Sequence, residues 1–148
     1  MRLIQLSPLL LGFAIVGQGV LNRAVGERWG LSAAVVLNAT VLLASATAVM
    51  LLVRSAPQRF PAFFSPHPSL DASAWWFIFP GMLGCVIVTG VPWAISRFGA
   101  APVFVLVVAG QMVASLAWDA LVEGRPATLP RVAGAALAVA GAALVSRG

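Results

Sequence analysis

The sequence predicts an all-α, polytopic membrane protein of about five transmembrane helices. Three observations lead there. Hydrophobic residues fill 61% of the 148 positions and charged residues 9%, more apolar surface than a soluble domain of this size can hide. The apolar residues fall into long runs separated by short polar or proline-rich breaks, and a run of about 20 is what a helix needs to cross a bilayer. The alternation of apolar and polar residues that marks a membrane β-barrel is absent.

Taken in order, the helices are expected at about 3–25, 31–53, 74–96, 100–121 and 131–146, in one transmembrane domain covering 1–148. The first run resembles a signal peptide at Met1-Arg2 but continues without a small-residue cleavage site, so it reads as an uncleaved first span. Pro8 falls in its first turns, where a lost hydrogen bond costs least. Gln18 and Asn22 are four apart and share a face. They read either as amide contacts between helices or as lining of a substrate path. A first loop is expected over residues 23–30, with Trp29 at a membrane interface. The second helix carries Asn38, Thr40 and Ser45. Hydroxyls can bond their own helix backbone, so Asn38 alone stands out, first as a packing contact.

Residues 54–73 hold Pro57, Pro61, Pro66 and Pro68 together with Phe60, Phe63 and Phe64. So many prolines forbid a regular helix, and the rings suggest a loop lying at the interface. The third helix should open at Trp75-Trp76 with Asp71 or Ser73 as N-cap and kink at Pro92. Arg97-Phe98-Gly99 makes a very short turn into the fourth. The fifth has Gly134 and Gly141, and Leu137 and Leu144, spaced at seven. That gives a smooth flank and a ridge, suited either to internal packing or to a dimer contact.

The fourth helix carries the most informative stretch, Gly110 to Asp119. Gln111, Ser115 and Asp119 recur every four residues and stack on one helix face. A polar stripe in lipid is costly, so it should face protein or a water-filled cavity. Asp119 lies near the helix end, where headgroup water is within reach of a carboxylate. The predicted substrate-binding residues are therefore Gln18, Asn22, Asn38, Gln111, Ser115 and Asp119. Trp93 and Trp118 would add aromatic walls.

Charge and composition exclude several roles. The formal net charge is +5, but the arginines sit singly at segment ends, placed to snorkel toward headgroups. No nucleic-acid partner is expected, and the lipid bilayer is the first partner. Cys85 has no second cysteine to pair with, and His67 has no neighbours with which to hold a metal. No catalytic, metal or cofactor site is expected.

Five spans put the two ends of the chain on opposite sides. One side would carry Arg2, Arg54, Arg59, Arg125 and Arg131, the other Arg23, Arg28, Arg97 and Arg147. The positive-inside rule needs an imbalance to orient a chain, and this near-balance suggests insertion both ways and an antiparallel dimer. In such a dimer Asn22 of one copy and Asp119 of the other would share a level, each about 12 Å from the midplane.

Gly17-Gln18-Gly19-Val20-Leu21-Asn22-Arg23, Trp75-Trp76 leading to Gly81-Met82-Leu83-Gly84, and Ala109-Gly110-Gln111-Met112-Val113-Ala114-Ser115-Leu116 with Asp119 resemble the YdcZ-like family of the drug/metabolite transporter superfamily. The resemblance implies a bacterial inner-membrane transporter of about five helices. It also implies pairing, since the superfamily is similar to one built from inverted five-helix repeats. One copy would be a half-transporter bundle. Related small multidrug pumps carry a central Glu in the first helix. Here Gln18 and Asn22 stand instead, which leaves Asp119 as the proton or cation partner.

The expected function is a secondary transporter for a small metabolite or drug-like molecule. It would work by alternating access as an antiparallel homodimer, or as a heterodimer with a paralogue. The alternative is a non-transporting membrane subunit that scaffolds another protein.

Overall fold

The computed structural model describes residues 7–65 and 72–147. Among the described residues there are five α-helices: α1 Ser7–Trp29, α2 Leu31–Ser55, α3 Ile78–Phe98, α4 Ala100–Leu121 and α5 Leu129–Val145. Short 3₁₀ turns occupy Pro57–Arg59, Ala62–Phe64 and Ala72–Phe77. Among the described residues there is no strand. Four stretches among the described residues are long and apolar enough to cross a membrane: Pro8–Trp29, Leu31–Ser55, Trp75–Phe98 and Ala100–Leu121. The chain is a polytopic membrane protein. The fifth helix has 17 residues and covers about 25 Å at 1.5 Å per residue, against a hydrocarbon core of about 30 Å.

Two boundaries depart from the sequence expectation. The loop expected over residues 23–30 is helical through Trp29. Its charges do not break the helix, because Arg23 Nε reaches Glu27 Oε1 at 2.7 Å one turn on, a spacing that supports helix. Glu27 is thus an acid within α1 rather than a loop residue, and Asp119 is not the only acid in a membrane helix. In α3, the turn holding Trp75 and Trp76 is 3₁₀, and α-helix begins at Ile78. Pro80 explains the change: it has no N–H to bond the Trp76 carbonyl, and its ring crowds that carbonyl. Of the two expected N-caps, Asp71 lies outside what the structure describes, as do His67, Pro66, Pro68 and the first residues of segment one, while Ser73 falls inside the 3₁₀ turn rather than at the start of α3.

Single glycines make two of the connections. Gly30 joins α1 to α2 with φ 86° and ψ 147°, and Gly99 joins α3 to α4 with φ 81° and ψ 162°. Only glycine visits that region freely. Each glycine also closes the helix before it, its N–H donating at 2.9 Å to the carbonyl of Gly26 or of Ile95. The short turn read at Arg97-Phe98-Gly99 is thus a one-residue corner.

Contacts divide the chain into two units, residues 21–92 and residues 1–20 with 93–148; α1 and α3 run across the division. In the first, Ala34 and Val53 are buried, and Gly26 lies so near the start of α2 that an added Cβ would sit 3.6 Å from Leu31 Cα. In the second, α4 and α5 pack together, with Ala109, Ala135 and Ala142 buried. A Cβ added to Gly134 would meet Met112 Cε at 3.7 Å. Gly134, with Ala135 and Ala142, thus belongs to the packing of α5 on α4, whereas a Cβ added to Gly141 would meet nothing within 4 Å and the Leu137 and Leu144 ridge is about three-quarters exposed, at 73% and 72%.

Candidate functional site

Three of the six predicted residues come together in one groove. Gln111, Ser115 and Asp119 line a cleft of about 300 Å³ along α4, with Met112 between them and Arg131 of α5 at the end. The four-residue spacing puts the three polar groups on one face, and the packing of α5 on α4 brings Arg131 to them. Arg131 Nη1 donates to Asp119 Oδ2 at 3.4 Å, longer than the usual N–H···O range. This is a loose ion pair, its two side chains 49% and 30% exposed, so both charges remain open to a third group. A different flank of α4 and α5 bounds a larger groove of about 610 Å³, lined by Gly110, Val113, Ala117, Val139 and Ala143 among others. The polar stripe thus has its own side of the helix pair.

Asn22 and Asn38 form a second group. Asn38 Nδ2 donates to Asn22 Oδ1 at 3.2 Å, linking α2 to the end of α1 in a half-buried position. This is the interhelical amide contact that the sequence suggested for such residues. Gln18, exposed on α1, belongs to neither group. Thr40 bonds its own helix, Oγ1 to the Val36 carbonyl at 2.8 Å. Among the described residues no polar or charged side chain is buried, so the polar groups are met from outside the helix rather than sealed in a core.

An apolar recess adjoins the polar groove. It has a volume of about 260 Å³ and is lined by Gly12, Phe13 and Val16 of α1 with Phe104, Val108 and Gln111 of α4. Gln111 and Val108 line both spaces. The aromatic walls here are Phe13 and Phe104. The expected Trp93 and Trp118 do not line either space; Trp93 instead lies 5.7 Å from the Arg97 guanidinium, one turn along α3.

Sequence reasoning did not reach Arg131, Phe13 or Phe104. A signal existed for two of them. Phe104 is seven residues before Gln111, the same helix face. Arg131 opens the helix that follows the one Asp119 closes, so a short loop brings the two charges to one end. Phe13 had no such signal, because which face of α1 meets α4 is decided by tertiary packing. Among the described residues no cluster of His, Cys, Asp and Glu is placed to hold a metal.

Comparison with known proteins agrees with this architecture. A family model described as "Putative inner membrane exporter, YdcZ" matches residues 3–144. The chain is also similar to a UPF0060 membrane protein of Ectopseudomonas mendocina (strain ymp), 40% identical over 76 residues, which cover 51% of this chain and 68% of that protein. No solved structure matches. With nearly its whole length matched, the chain belongs to the YdcZ family and is a multi-pass protein of the inner membrane.

Proposed function

We propose that the protein exports a small metabolite or drug-like molecule, working by alternating access as an antiparallel dimer. A family described as exporters consists of transporters rather than enzymes, which supports the coarse part of this reading. The observation that carries the rest is the groove along α4. Gln111, Ser115, Asp119 and Arg131 stand together in an apolar helix pair, where polar and ionised groups are costly and commonly mark a transport path. One copy offers only an open groove, and a second, inverted copy would enclose it as repeat-built carriers enclose a midplane site. The near-equal arginine count on the two sides supports insertion both ways.

The test is an untargeted comparison of metabolites inside and outside cells that make wild-type protein or Gln111→Leu. The expected result is a compound depleted inside and enriched outside with wild type alone. If no compound moves while the protein is demonstrably in the membrane, the exporter reading is wrong and the scaffold role takes its place.

A further inference from the structure

The polar groove and the apolar recess adjoin along α4. Both lie on α4, they share Gln111 and Val108, and they differ in chemistry. The recess offers Phe13 and Phe104 with apolar neighbours. The groove offers an amide, a hydroxyl and one ion pair. A molecule lying across Gln111 would put an apolar body on one side and a polar head on the other. Each space is near the lower end of the volumes that hold small ligands, which suits a compact molecule with a body about the size of one ring.

The charge of the head follows from the ion pair. Asp119 and Arg131 are the charged residues lining the groove, and their charges sum to zero across a loose pair at 3.4 Å. A cationic head would compete for Asp119 and leave the guanidinium unmatched. An anionic head would take Arg131 and leave the carboxylate unmatched. A head without net charge avoids both costs. If zwitterionic, it can place its cation on Asp119 and its anion on Arg131, both of which are open to the groove. We propose that the site selects small amphiphiles of no net charge, the head held by Asp119, Arg131, Ser115 and Gln111 and the apolar body against Phe13 and Phe104. This proposal rests on the exporter reading and names its substrate class.

Gly12 supplies an independent handle. It borders the recess, and an added Cβ would meet nothing within 4 Å. A larger side chain there fills the space meant for the body without touching the polar groove.

The experiment uses the full chain in lipid nanodiscs and four probes with a shared aromatic body, titrated calorimetrically at neutral pH against empty discs. The probes are phenylalanine (zwitterion), N-acetylphenylalaninamide (uncharged), phenylethylamine (cation) and 3-phenylpropionate (anion). The first two should bind, and the last two should bind at least about tenfold more weakly, the order expected when one charge is left unmatched. Arg131→Gln should turn the preference toward the cation and Asp119→Asn toward the anion, a mirror-image change that misfolding cannot produce. Gly12→Leu should weaken all binders alike. Binding by none of the four, a wild-type preference for either single charge, or an unchanged ranking in both charge variants overturns the proposal. Flux of the same probes in proteoliposomes separates the two readings. Ranked binding without flux sustains this site and counts against export. Flux of an unrelated cargo with no binding in the series sustains export and overturns this site.

Discussion

Neutralising Asp119 separates two roles that one residue can play. Its pair with Arg131 is loose and partly exposed, and exposed ion pairs contribute about 0.2–1 kcal/mol. Asp119→Asn should therefore change reversible unfolding in micelles by less than about 1 kcal/mol while lowering export by about tenfold or more, measured as the cell-to-medium ratio of the exported compound. Comparable losses in both would mean the residue is structural. The Asn22–Asn38 contact carries the opposite expectation. A double-mutant cycle with Asn22→Ala and Asn38→Ala should return a coupling of about 0.6 kcal/mol, the average for interhelical hydrogen bonds in a membrane. Much of this chemistry was legible in the sequence, because helical period alone stacks Gln111, Ser115 and Asp119. What period cannot supply is a partner from another helix. Arg131 looked like one more snorkelling arginine until α5 packed on α4, and Asn22 and Asn38 were readable one by one but not as a pair.

At the scale of elements, the two glycine corners invite a direct test. The φ near +80° with ψ near +150° at Gly30 and Gly99 costs a residue with a Cβ about 1–3 kcal/mol. At Gly30 no neighbour stands within 4 Å of an added Cβ, so the loss in Gly30→Ala would be one of backbone conformation alone. Thermal unfolding of Gly30→Ala and Gly99→Ala should show that loss, whereas Gly12→Ala, helical and unobstructed, should be neutral or slightly stabilising. The helices themselves were legible because the apolar runs are long. Their ends were not. Arg23, Glu27 and Arg28 read as a loop by polarity, yet a charge at a membrane helix end reaches water without leaving the helix, and α1 continues until glycine stops it. The start of α3 was misplaced for a different reason, since Pro80 acts on the turn before it.

At the scale of the whole molecule, the arginine balance predicts how copies insert. Single cysteines placed at each end in turn, in a Cys85→Ala background because Cys85 is exposed, should each be labelled in about half of the molecules by an impermeant thiol reagent applied to intact cells. Complete labelling at one end alone would mean one fixed orientation and remove the self-inverted dimer. The fold class follows from composition before any residue is placed, because nothing else can hold so much apolar surface. The pairing of copies does not, because it depends on surfaces that a single chain leaves open.

The corners also decide what an enzyme in the surrounding water can cut. Successive spans alternate across a bilayer, so the first and third connections open on one surface and the second and fourth on the other. The first and third are Gly30 and Gly99, which leave no slack for a protease to seize. The second and fourth, whose described parts include residues 56–65 and 122–128, carry short 3₁₀ turns and irregular chain, and proteolysis concentrates on such segments. With five spans, the longer connections of each copy would all open on one surface. A protease confined to one side of the membrane should leave about half of a dually inserted population intact, and either all or none of a population that inserts one way.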